Sequence, residues 1–202
     1  RALARRALVE GDASLASVAY ARGGQLDAPT VERFVEEVAS VPEELRERHP
    51  EVPEVLRSGL AFQYNTGSNF TARAYLAGGW KAVDDAHRDP PASTEQVLHP
   101  EKYFGARDQP ATIALGGTEG LERRGWERIL EDTFGELDLR VLAGRAFDPA
   151  DAADIAAGWG GDRCRALVHG DELAIVWLTT WDTPADAVRF ETSIPALIEG
   201  AH

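Results

Sequence analysis

Paired glycines and prolines cut this chain into segments of helix length, and that punctuation constrains the fold more than any other feature. Gly23-Gly24 and Gly78-Gly79 are the strongest stops, and Pro42, Pro50, Pro53, Pro90, Pro91 and Pro100 bound the pieces between them. Proline lacks an amide hydrogen and bars helix at the residue before it. Glycine ends helices because left-handed backbone costs it nothing. Residues 1–22 therefore predict a helix, with Leu8, Asp12, Leu15 and Ala19 along one stripe. A second face carries Ala7, Glu10, Ser14, Ser17 and Ala21, one acid in a row of small side chains. Asp27-Ala-Pro29-Thr30 opens a second helix through Val38, with Val31, Phe34, Val35 and Val38 inward. The proline-rich stretch from Pro42 to Pro53 is strongly charged and reads as a solvated connector.

Residues 55–80 show an interrupted helical period. Val55, Leu56, Leu60 and Phe62 lead to Tyr64-Asn-Thr-Gly67, expected to turn, before Phe70, Ala74 and Ala77 resume. Trp80, Val83, Ala86 and His87 suggest one more short helix, ended by Asp89-Pro90-Pro91. Ser93-Thr-Glu-Gln96 has the spacing of a capping box, with Ser93 as N-cap and Gln96 reaching back. Its helix must be short, because His99-Pro100 follows.

The second half mixes periods. Ala111–Leu115 and Trp126–Leu130 are expected strands, Glu136–Ala143 an expected helix, and Asp148-Pro149 starts another through Ala157. Gly116-Gly117 and Gly160-Gly161 read as turns. Arg165–Val168 and Leu173–Thr180 flank His169-Gly170-Asp171-Glu172, a hairpin signal, and the nearly all-apolar second strand predicts cover on both faces. Thr183 and Pro184 open a last helix with Ala187, Phe190, Ile194 and Leu197 on its core face, which Pro195 should kink or end early. The fold class is α+β, mostly helical, with a small antiparallel sheet or hairpin in the C-terminal half. We read 1–202 as a single domain, mainly helical over 1–105 and mixed over 106–202.

Composition excludes several roles. Lys and Arg number 21 against 34 Asp and Glu, a net charge of −13, which disfavours nucleic acid as a partner. No apolar run is long enough to span a membrane. The single Cys164 allows neither an internal disulfide nor a cysteine zinc cluster. Zero Met and a first residue Arg1 lead us to expect a chain that starts partway through a longer gene product.

Five histidines are present: His49, His87, His99, His169 and His202. No two stand at i, i+4, so a helical two-histidine metal clamp is absent. His49, His169 and His202 read as solvated, and His87 as a polar helix edge. His99 either ties down its loop or carries chemistry. Glu10 is the acid to single out, since small neighbours let a second helix approach closely, as a helix-to-helix metal site requires. Its plain alternative is a solvent-facing glutamate. Glu95, Asp132 and Glu136 invite a paired-carboxylate reading, but so acidic a chain forms such pairs by chance. Arg163 and Arg165 beside Cys164 would lower its pKa, whereas burial in a strand would leave the thiol inert.

A set of motifs occurs in order: Ala7-Leu-Val-Glu10-Gly-Asp12-Ala, Gly78-Gly-Trp80-Lys-Ala-Val-Asp84, and Asp89-Pro-Pro91-Ala-Ser93-Thr-Glu-Gln-Val-Leu-His99-Pro-Glu-Lys-Tyr103. Asp132-Thr-Phe-Gly-Glu136, Gly158-Trp-Gly-Gly-Asp162-Arg163 and the stretch from Trp177 to Trp181-Asp182-Thr183 follow. Over nearly its whole length the chain resembles the C-terminal part of a family of bacterial and haloarchaeal envelope proteins and lipoproteins that look like gluzincin-type zinc metallopeptidases. The resemblance implies an upstream HExxH helix with two zinc-binding histidines and a water-activating glutamate. It makes Glu10 the third ligand, gives Asp12 the task of orienting a metal-binding histidine, and offers His99 as an oxyanion donor. It further implies zinc in the full-length protein, a peptide or protein substrate, and an extracellular or cell-envelope location. The HExxH segment is missing from this sequence, so the chain as given is expected to hold no zinc stably and to hydrolyse nothing. The competing expectation is a non-enzymatic envelope scaffold or binding protein that retains the fold.

Overall fold

A computed structural model describes residues 2–199. The chain forms two compact units, 1–108 and 109–202. The class is α+β, with helices throughout and one three-stranded antiparallel sheet late in the chain.

The first unit is helical. α1 (Ala2–Ala21) buries Ala4, Ala7, Leu8, Gly11, Leu15 and Ala19 and stops at Gly23-Gly24, both at positive φ. α2 (Ala28–Val38) is capped by Asp27, whose Oδ1 accepts the Thr30 amide at 3.0 Å. The charged connector is itself partly helical: α3 (Val41–Arg48) buries nothing and carries Glu43–Arg46 and Glu44–Arg48 pairs. Pro42 does not prevent this helix, because in its first turn the missing amide hydrogen breaks no bond.

The expected turn at Tyr64–Gly67 is absent. α4 (Glu54–Ala61) passes through a π-helical stretch (Phe62–Thr66) straight into α5 (Gly67–Arg88). Gly67 sits there for contact, not for turning. A Cβ on it would lie 2.2 Å from the Ala7 carbonyl oxygen, and one on Gly11 would lie 2.2 Å from the Gly67 carbonyl. α1 and α5 thus touch backbone to backbone. Small residues do bring two helices together, as the sequence suggests, but the contact runs along Ala7 and Gly11; Ser17 and Ala21 of the second face are exposed. Gly78 and Gly79 kink α5, with Gly79 at φ 64°, and Trp80 resumes it. Leu15, Val31, Phe34, Ala72, Ala74, Tyr75 and Val83 pack as one core. Ala77 is exposed beside the kink. α6 (Thr94–Leu98) and α7 (Glu101–Phe104) close the unit.

The second unit contains α8 (Glu119–Glu122), β1 (Glu127–Asp132), α9 (Glu136–Ala143), α10 (Pro149–Ala156), β2 (Trp159–His169), β3 (Glu172–Trp181) and α11 (Pro184–Glu199). The sheet order is β1-β2-β3. Residues 111–115 are not a strand: Ala111 makes one bond to the Gly160 carbonyl, while the Leu115 carbonyl is taken by the Arg165 side chain. Gly160-Gly161 is not a turn but lies within β2 at a register shift, where Gly161 has φ 153° and a Cβ would meet the Ala111 oxygen at 3.0 Å. α11 runs through Pro195, which takes from the carbonyl of exposed Glu191 its usual helical donor. Its buried face is Phe190, Ser193 and Leu197, and Ile194 is exposed. Phe190 joins Leu139, Ala143, Ala152, Ile155 and Trp159 in the core, flanked by Trp177 and Trp181. β3 is not covered on both faces. Leu173, Ile175 and Leu178 are 60%, 62% and 47% exposed, because β3 is an edge strand and only its Trp177–Trp181 end packs on that core.

Candidate functional site

Glu10 lies on α1 beside the glycine contact, half-buried. Tyr64 lies within reach of its carboxylate, which raises the Tyr64 pKa above its ordinary 10.0, first as a hydrogen-bond acceptor for the hydroxyl and then by its charge. The π-helical winding presents Tyr64: its extra residue per turn is closed by the Gly67 amide bonding the Phe62 carbonyl. Asn65 is presented on the same winding and donates to the Val38 carbonyl at 2.8 Å. Such windings occur often at functional sites. Asp12 takes a separate partner, its Oδ2 lying 3.0 Å from His87 Nε2. Behind them, Ser68 and Thr71 are fully buried on α5 with hydroxyl oxygens that lack a hydrogen-bond partner.

The stretch from Asp89 to Asp108 is held by a dense polar network. Ser93 Oγ accepts the Gln96 amide at 3.2 Å. Gln96 reaches back one residue further than a capping box requires, its Oε1 accepting the Ala92 amide at 2.7 Å, while its Nε2 donates to the Asp108 carbonyl. Glu95 is buried and meets Lys102 Nζ at 2.6 Å; the same ammonium lies 3.1 Å from Asp108. Arg107 bonds Asp89 and stacks over Tyr103, 4.6 Å from the ring centroid, and the Tyr103 hydroxyl donates to the Asp89 carbonyl. His99 is half-buried, with its amide on the Glu95 carbonyl at 2.7 Å and Nδ1 3.7 Å from Glu101. Glu95 therefore sits in an ion triad with Lys102 and Asp108.

In the second unit, residues far apart in sequence converge on Asp162. This buried carboxylate accepts four N–H bonds, from the Phe134 and Gly135 amides and from the Trp159 and Trp177 indoles, at 2.8–3.0 Å. Asp138 on α9 has its pKa raised to about 6, first by burial and then by the charges of Asp162 and Asp132. Glu136 is buried and lies 3.5 Å from Arg140. Cys164 is buried, and its pKa is raised by that burial and by Asp162 and Asp132. Arg163 and Arg165 do not lower it. Strand alternation turns both to the other face, where with Arg128 they bind Glu131 and hold its carboxyl at about 2. His49 and His169 are exposed, His169 stacking on Trp126, and His202 lies outside the described residues.

Tyr64, Lys102 and Asp162 thus hold three sites together, yet nothing in the sequence marks them for it. Catalytic zinc takes three protein ligands. Among the described residues Glu10 belongs to no cluster of three or more ligating side chains.

Residues 123–202, less than half of the chain, match the model of a family described as a domain of unknown function (DUF8575). No curated protein and no solved structure matches the chain.

Proposed function

We propose that this chain is part of a zinc metallopeptidase-like protein of the cell envelope, with Glu10 as its carboxylate ligand. Two histidines and a water-activating glutamate would come from an HExxH helix outside these 202 residues, and the substrate would be a peptide or protein. One observation carries the reading. Glu10 is half-buried on a helix locked by backbone contact, and its neutral partner Tyr64 leaves lone pairs for a ligand. Metal-binding carboxylates are commonly oriented by such a hydrogen bond. By itself the chain holds no zinc stably and is not hydrolytic.

A second reading, a scaffold or binding protein that keeps this fold, is favoured by the saturation of the other acids. Glu131 and Asp162 spend both their oxygens on fixed partners.

The test is to establish whether an HExxH helix is encoded upstream of Arg1, and then to measure zinc in the longer product after dialysis. About one zinc per chain is expected, falling at least tenfold in Glu10→Gln. Equal zinc in both proteins, or no such helix, would leave the scaffold reading. Glu10→Gln also returns the Tyr64 ultraviolet titration toward an ordinary tyrosine, which checks the contact without metal.

A further inference from the structure

The two edges of the sheet are built differently. β1 carries Glu127, Arg128, Glu131 and Asp132 and a bulge between Arg128 and Leu130, the devices by which proteins blunt an exposed edge. β3 has few of them. After Glu172 it runs nine residues, Leu173 to Trp181, without a charge or a proline, and its register with β2 is unbroken from Gly161↔Thr180 to His169↔Glu172. Among the described residues it has a strand neighbour on one side only. Its apolar side chains stand on both faces: Leu173 and Ile175 on the face shared with Trp177, Leu178 on the other, all well exposed.

Such an edge offers a row of unpaired amides and carbonyls to an incoming strand, with apolar side chains on each face to read alternate residues of that strand. Charge decides what kind of strand. At the hairpin end of β3 itself Asp171 and Glu172 are exposed, with His169 Nδ1 3.9 Å from Glu172. A second copy would bring like charge to that end and to a chain already at −13. We propose that the outer edge of β3 takes an extended, basic segment of a partner protein as a fourth strand, its apolar residues beside Leu173, Ile175 and Leu178 and a lysine or arginine beside the acidic hairpin tip. This assignment is independent of the metal reading of Glu10.

The experiment titrates the whole chain by calorimetry at low salt with a synthetic peptide of about ten residues, alternating Val and Thr, with lysines at both ends. Comparison peptides carry glutamates at the ends, or lysines with N-methylated amides at alternate positions, one peptide for each of the two alternations. The lysine peptide is expected to bind at least tenfold more tightly than the glutamate peptide, with affinity falling as salt rises. One of the two N-methylated peptides should lose at least tenfold, because its amides can no longer join the ladder. Ile175→Lys should lose at least tenfold with the melting temperature of the chain unchanged, since the side chain is exposed. No binding, equal affinity for the lysine and glutamate peptides, or full binding by both N-methylated peptides overturns the proposal. So does a dimer in analytical ultracentrifugation that Ile175→Lys dissolves, which would assign the edge to a second copy.

Discussion

Glu10 and Asp162 are both carboxylates in regions dense with glycine and aromatic residues, and the molecule treats them in opposite ways. Asp162 is buried and receives four N–H donors from residues spread between 134 and 177. Every oxygen lone pair that geometry exposes is spent, so the group organises the β1–α9 turn, the start of β2 and the middle of β3 together. Glu10 stands half-buried with Tyr64 as its partner. The comparison separates two uses of an acid. A carboxylate that many fixed donors surround is a node of the fold, and one left with spare acceptor capacity on a rigid element is where a ligand can bind.

The largest effect expected on this comparison comes from Asp162→Ala. It strips four buried or part-buried donors of their acceptor at once, and with each orphaned donor costing about 1–3 kcal/mol the second unit should lose cooperative unfolding in a thermal melt. A melt close to that of the parent would show that Asp162 does not organise this unit. Next comes Gly67→Ala, whose Cβ would lie inside the Ala7 backbone. The helices must part, which costs roughly 1–3 kcal/mol or more, read as a fall in the urea midpoint; an unchanged midpoint would mean α1 and α5 are not in backbone contact.

The smallest effect concerns Asp138. Its carboxyl is raised in the folded chain from 3.8 to about 6, so it destabilises progressively as pH rises from about 4 through 6. Asp138→Asn should therefore match the parent at pH 3.5 and melt a few degrees higher at pH 8. Equal melts at both pH values would mean that Asp138 is neither buried nor close to the charges of Asp162 and Asp132. Glu131 runs the other way: depressed to about 2 by its arginines, it contributes stability above about 4.5 that fades as pH falls toward 2.

Much of the fold is legible in local signals. Asp27, Ser93 and Asp148 each cap a helix where capping chemistry places them, and Thr183 caps α11 by accepting the Asp186 amide. Gly23-Gly24 and Gly78-Gly79 interrupt helices as paired glycines should. The site is less legible. Gly67 reads as a turn residue because a sequence cannot show that its missing Cβ serves a neighbouring backbone. Gly161 misleads in the same way, taking its positive φ inside a strand against Ala111.

The helix stops, the caps, the hairpin between residues 165 and 180 and the α+β class can all be read from the chain's local pattern, and among the described residues no helix is long and apolar enough to cross a membrane. Each depends on contacts within a few residues, or on composition. Packing in three dimensions is what brings Tyr64 to Glu10, Lys102 between Glu95 and Asp108, and two tryptophan indoles and two amides to Asp162. It also decided that an apolar strand stands at an edge. Those outcomes join residues tens of positions apart, and a hydrogen bond or a strand neighbour is set by where backbones pass in space, which periodicity and spacing do not encode.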